Sequence, residues 1–158
     1  SCIAIIGGDR LVSDTGRLRY EGCVQAFAEH GIAFDPRQDY RSVRYSYHGG
    51  YQATRTLLES GRPYTAIFAS SDVMAVGAIR ALRDWGLRVP EDIRLVSLTG
   101  HKVGGMLETS MTSLEVPARE MGEKVTKMLI EEIEAPSDQK PSPQHLVFAA
   151  RLVEREST

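Results

Sequence analysis

Residues 65–93, TAIFASSDVMAVGAIRALRDWGLRVPEDI, leave this chain the fewest options. Residues 65–69 are a β-branched and aromatic run of buried-strand length. Ser70, Ser71 and Asp72 then supply side-chain oxygens where a helix needs its first amides capped. Met74, Ala78, Ala81, Leu82 and Trp85 recur at helical spacing and predict one apolar stripe. Gly86 closes the helix, and Val89-Pro90 approaches the next strand in extended form. A strand, a helix and a returning strand at this spacing demand a parallel sheet. A carboxylate at the C-terminal edge of such a strand sits where open α/β sheets bind small ligands.

The same unit recurs on both sides. Residues 2–8 are an apolar run ending in glycines and predict a central strand. Residues 18–30 predict a helix with Cys23, Ala26 and Phe27 inward and Gly31 as its stop. Asp35-Pro36 marks a connection, 42–47 alternates as a second strand, and Gly49-Gly50 turns into a helix over 51–60. Residues 93–98 make a fourth strand. The β-α-β-α-β-α-β order calls for an α/β fold with right-handed crossovers. The pattern then changes. Residues 101–108 form a short glycine-containing segment, and 111–116 are extended. Pro117 opens a helix to residue 133 that gathers Met121, Val125, Met128, Leu129 and Ile133 on one face. Residues 135–143 are a polar linker with three prolines, and 145–153 resume as an edge strand.

With 158 residues, 42% hydrophobic and 25% charged, the chain suits one domain, or one and a fragment. A net charge of −2 offers no bulk attraction for nucleic acid or membrane. No apolar run nears the roughly 20 residues that span a bilayer. The chain opens directly on a strand with no leader-like run, and its two cysteines, Cys2 and Cys23, are too few for a disulfide framework. Both read as free thiols, and a cytoplasmic location is expected. Catalysis finds little support. There is no Gly-x-Ser-x-Gly elbow, no Walker loop and no Gly-x-Gly-x-x-Gly after the first strand. His30, His48, His101 and His145 form no metal-spaced pair, and no Cys-x-x-Cys occurs. The reading is a protein that is not an enzyme, with no cofactor and no metal.

Residues at the predicted strand C-termini point elsewhere. Ser13 lies in the first loop, and Arg19 in the first turn of the helix that follows. Tyr45 ends the second strand, Ser71 and Asp72 follow the third, and Thr99 the fourth. A guanidinium, an aromatic face, hydroxyls and one carboxylate suit a small polar ligand. Each residue also has a plainer role. Asp72 serves equally as a helix N-cap, Arg19 as a surface partner of Asp14, Glu21 or Glu29, and Tyr45 as a half-buried strand residue. Ser13, Ser71 and Thr99 taken singly are ordinary loop residues.

At these residues the chain resembles the effector-binding domain of the lactose/galactose-repressor (LacI/GalR) family of bacterial regulators, end to end. The resemblance rests on Arg19-x-x-Gly22 and Gly50-Tyr51, and on Ala69-x-x-Asp72-x-Met74-Ala75-x-Gly77-Ala78. It extends through Gly86-Leu-Arg-Val-Pro-Glu-Asp-Ile93, the Thr112-Ser113 to Pro117 crossover, and Arg151-x-x-Glu154-Arg155-Glu-Ser. It implies a class I periplasmic-binding-protein-like lobe, with residues 1–112 as the C-terminal lobe. Residues 113–140 would be a crossover helix belonging with the N-terminal lobe, and 141–158 the returning strand and tail. It implies a sugar-like or nucleobase-like effector contacted by Arg19, Tyr45 and Asp72, a homodimer formed through Val76 and Leu107, and DNA bound only by a helix-turn-helix domain outside this chain. Val76 and Leu107 read equally well as core residues. Two departures stand out. Ser71 replaces the asparagine of sugar-binding members, and Thr99 stands where the family usually has an effector-binding aspartate. An altered effector is the expectation. Two rivals remain: a solute-binding protein of a sugar ABC transporter, and a flavodoxin-like or hydrolase-type enzyme.

Overall fold

The computed structural model, which describes residues 2–100, 102–136 and 138–158, gathers the apolar runs into a single six-stranded sheet. Its strands are β1 (Ile3–Gly7), β2 (Tyr40–Ser42), β3 (Ala66–Ala69), β4 (Arg94–Thr99), β5 (Thr112–Glu115) and β6 (Arg151–Val153). They lie in the order β2-β1-β3-β4-β5-β6. Every pairing is parallel except β5 with β6. The helices are α1 (Asp14–Glu29), α2 (Pro36–Asp39), α3 (Tyr47–Glu59), α4 (Asp72–Asp84) and α5 (Ala118–Glu134), with a 3-10 turn at Lys102–Met106. Because β1 is flanked by β2 on one side and β3 on the other, the strand order reverses there. Open sheets part their loops at such a point and leave a crevice.

The core lies between the sheet and the pair α3 and α4, where Ile6, Leu57, Ile67, Met74, Leu82 and Leu95 are fully or almost fully buried. Two glycines let these helices meet. A Cβ on Gly50 would sit 2.0 Å from the Met74 carbonyl oxygen, and one on Gly77 2.1 Å from that of Tyr47. No side chain fits at either position. The chain's end is sewn into the sheet as well. Ser157, fully buried, donates its hydroxyl to the Leu95 carbonyl at 2.6 Å and accepts the Thr112 amide at 2.8 Å.

The observed elements correct several sequence expectations. Ser13 caps α1 at Asp14, so the helix starts four residues early and Arg19 lies in its second turn. Of α1 only Gly16 is buried, and Ala26, expected inward, is exposed. The second strand is Tyr40–Ser42 rather than 42–47, because Asp35 caps the short α2 ahead of it. Tyr45 therefore lies in a loop beyond β2. Ser46 caps α3 at Tyr47, so Gly49 and Gly50 sit inside the first turn, Gly50 against Met74 of α4 and Gly49 against the Arg44 carbonyl of the preceding loop. Ser71, not Asp72, is the N-cap of α4, accepting the Met74 amide. Trp85 leaves the apolar stripe and stays 46% exposed as the α4 C-cap. Pro117 is the N-cap of α5 rather than its first residue, and β6 is three residues long. His101, which opens the glycine-containing segment, lies outside the described residues.

Candidate functional site

The predicted ligand residues other than the Asp72 carboxylate lie along the C-terminal rim of the parallel strands, where Arg19 spans from α1 to the turn after β3. Arg19 reaches over from α1 and donates from Nη1 to the Ser70 carbonyl at 2.8 Å. Its guanidinium lies 5.8 Å from the centre of the Tyr45 ring. The glycines that end β1 make room for this. A Cβ on Gly8 would stand 2.3 Å from the Tyr45 ring, and one on Gly7 2.6 Å from the Tyr40 hydroxyl. The Tyr40 hydroxyl donates to the Gly8 carbonyl, and burial pushes it up to about 12. Tyr40 is therefore a neutral prop beneath the loop.

Ser13 and Tyr45 line one open hollow of about 470 Å3, together with Gly8, Asp9, Val12 and Arg44. Ser13 also accepts the Gly16 amide at 3.2 Å, so its oxygen has a structural duty. Arg44, Asp9 and Val12 were not singled out by sequence reasoning. Their place in the loops after β1 and β2 was the available signal.

Asp72 sits differently. It is fully buried, and its Oδ1 accepts from the Ser97 hydroxyl at 2.6 Å and the Ser113 hydroxyl at 2.9 Å. Ser97 and Ser113 are themselves buried. The carboxylate thus ties the start of α4 to β4 and β5 beneath the rim, while the Asp72 amide donates to the Thr99 hydroxyl at 3.5 Å. The Gly100 amide donates to Ser113 Oγ at 3.1 Å, which extends the same network into the turn after β4. Thr99 holds φ at 110°, a strained conformation for a β-branched residue. The structure thus brings Ser13, Arg19, Tyr45, Ser71 and Thr99 to one rim, with the Asp72 carboxylate turned into the sheet below. Arg19 pairs with none of the carboxylates considered for it. Arg17 takes Asp14 and Glu21 instead.

Val76 and Leu107 meet on another flank. Both are half-buried against the core, and they line a groove of about 550 Å3 with Ile79, Leu87 and Val89, edged by Arg83 and Glu108. Arg83 and Glu108 pair at 3.1 Å. Among the described residues no three His, Cys, Asp or Glu side chains gather to hold a metal, and no helix is long and apolar enough to cross a membrane. Cys2 and Cys23 are free thiols, and burial pushes Cys23 up to about 11.

A family profile for the periplasmic binding protein-like domain matches residues 2–158. The ribose operon repressor of Halalkalibacterium halodurans is 35% identical over 141 residues, covering 89% of this chain and 40% of that protein. The structure of the transcriptional regulator CelR in complex with cellobiose superposes with a TM-score of 0.90 at 32% identity, over 99% of this chain and 46% of its own. The lac repressor dimer bound to operator and the anti-inducer ONPF superposes with a TM-score of 0.85 at 26% identity, over 99% of this chain and 52% of its own. The chain spans about half the length of the relatives it matches.

Proposed function

Because this chain belongs to the periplasmic binding protein-like domain family, in the branch of LacI-type regulators, we propose that it is the effector-binding and dimerisation part of a DNA-binding transcriptional regulator. Residues 1–112 supply one lobe, 113–140 the crossover helix to a second lobe, and 141–158 the return. A small polar effector lies against the rim and is closed over by that second lobe. Ligand binding shifts the population of lobe arrangements, and a helix-turn-helix domain outside this chain reads the shift at its operator. The effector must therefore bind the two arrangements with different affinities. Val76 and Leu107 carry the homodimer contact, and the protein works in the cytoplasm.

The observation that carries this reading is Arg19 bridging the crevice to Ser70 beside Tyr45. A guanidinium fixed on a carbonyl and edged by an aromatic ring is a preformed ligand contact, placed where the strand order reverses. The exposed apolar face of α5 fits the same picture, since a second lobe would cover it. The regulators among the relatives weigh against a transport protein or an enzyme.

The test is Arg19→Ala in the full-length protein. Effector-dependent release from, or recruitment to, the operator is expected to vanish, while operator affinity without effector is unchanged. A normal effector response in that variant would overturn the site assignment.

A further inference from the structure

We propose that Leu11 and Val12, at the tip of the loop after β1, form an apolar latch that seats on the second lobe of this protein; this rests on the reading of the chain as one lobe of two. With 90% and 85% of their surface open, they are the two most exposed large apolar side chains among the described residues. Their exposure is built into the loop. The Asp9 carboxylate accepts the Leu11 amide at 2.8 Å, and the Asp9 carbonyl accepts the Ser13 amide at 3.0 Å. Ser13 in turn caps α1 through the Gly16 amide. Beside them the Arg10 guanidinium lies 4.4 Å from the centre of the Tyr20 ring and 5.5 Å from that of Tyr40. A turn fastened at Asp9, Arg10 and Ser13 thus holds the two side chains between them out in water. The usual preference is inverted, since the charged residues of the loop are engaged by the protein and the apolar ones are not.

The place where the chain leaves the sheet tells what covers them. β1, β3, β4 and β5 run parallel, so the loop after β1 and the end of β5 at Glu115 lie on the same rim. The chain departs from that rim into α5 and comes back to it at Arg151, which pairs with Glu115. Helix α5 starts just past that edge with no buried residue, and its Val125, Leu129 and Ile133 are 60%, 57% and 69% exposed. Two apolar surfaces therefore stand open at one end of the sheet, and one body seated over that end covers both. The relatives, of which this chain spans about half, are long enough to supply such a body. A second copy of the chain is the poorer occupant. Stable interfaces bury about 800 Å2 on each partner, far more than two side chains on a loop tip offer. Val12 also lines the hollow with Ser13 and Tyr45, so seating the latch narrows its mouth.

The experiment uses the full-length protein with no ligand added. The photoreactive residue p-benzoylphenylalanine replaces Leu11 in one variant and Val12 in a second, so that misfolding of one leaves the other. After irradiation the cross-linked peptides are identified by mass spectrometry, and mixed isotope-labelled and unlabelled chains tell links within a chain from links between copies. Both probes should link, within one chain, to residues outside 1–158. The same probe in place of Gln25, exposed further along α1, should give no such link. Leu11→Ser should cut the yield of the Val12 probe about threefold or more, because half of the apolar contact is gone, and Leu11→Ile should keep it. Links only to a second copy, links confined to residues 1–158, or no links from either probe would overturn the proposal. An undiminished yield in Leu11→Ser would overturn it too. A probe at Leu129 of α5 tests the two-lobe reading by itself. Links to outside residues from Leu129 but not from Leu11 or Val12 keep the second lobe and drop the latch. No such link from any of the three drops both.

Discussion

Helices α4 and α5 carry the same kind of sequence pattern and meet opposite fates. In α4, Met74, Ala75, Ala78, Ala81 and Leu82 are all but inaccessible, pressed between the sheet and α3. In α5 no residue is buried, and Val125, Leu129, Ile130 and Ile133 are 60%, 57%, 47% and 69% exposed. Amphipathicity measures how apolar residues are arranged, not whether anything covers them. For α4 the cover is local, since small residues allow α3 to approach backbone to backbone. For α5 the stripe stays open to solvent among the described residues, so the pattern reports a surface that a partner could cover.

That contrast is open to direct attack. The largest effect is expected from Gly77→Val, because its side chain would enter the backbone of α3. It should destabilise the fold by about 3 kcal/mol or more in chemical denaturation, and a stable variant would disprove the close approach of the two helices. Asp72→Ala comes next. It leaves the buried Ser97 hydroxyl without its acceptor and the Ser113 hydroxyl with only the Ser97 carbonyl at 3.3 Å, and a loss of about 2–3 kcal/mol is expected. A surface-like change under about 0.5 kcal/mol would mean that the carboxylate does not join α4 to β4 and β5.

A pH-dependent effect should be smaller. Arg155, and then Arg151, hold Glu115 below its ordinary value of 4.5. The charged form is the one the fold favours, so its contribution is present above pH 4.5 and lost as pH falls through the lower folded value. Glu115→Gln should therefore melt below the wild type near neutral pH and converge with it in acid, the gap narrowing in salt because the pair is partly exposed. A gap that persists at pH 2 would assign the effect to packing. The smallest effect belongs to α5. Leu129→Ser in this chain should change stability by less than about 0.5 kcal/mol, while lowering self-association in sedimentation. A loss above about 2 kcal/mol would show that the stripe is covered after all.

The parallel sheet and the strand–helix units were readable because strands and helices repeat their buried faces at different periods. Boundaries failed where a cap outranked that periodicity. Ser13 and Ser46 each start a helix four residues before its expected start, and Asp35 starts one that was not foreseen. The rim residues were found by position alone, since the C-terminal ends of parallel strands all face one way. Their individual duties were not. Ser71 and Asp72 are neighbours in the chain and both buried, yet one caps a helix by accepting the Met74 amide and the other accepts hydroxyls from β4 and β5.

Local spacing was thus sufficient for the class of fold, for the amphipathic helices and for the edge of the sheet where the candidate site residues collect, because each depends on residues within a few positions of one another. It was silent on which charges are free to meet a ligand. The acceptor of the Ser97 and Ser113 hydroxyls lies 25 and 41 positions away along the chain, and the acids that neutralise Arg62 and Arg155 are equally remote. Such partners are chosen by how strands pack side by side, and a one-dimensional pattern does not encode them.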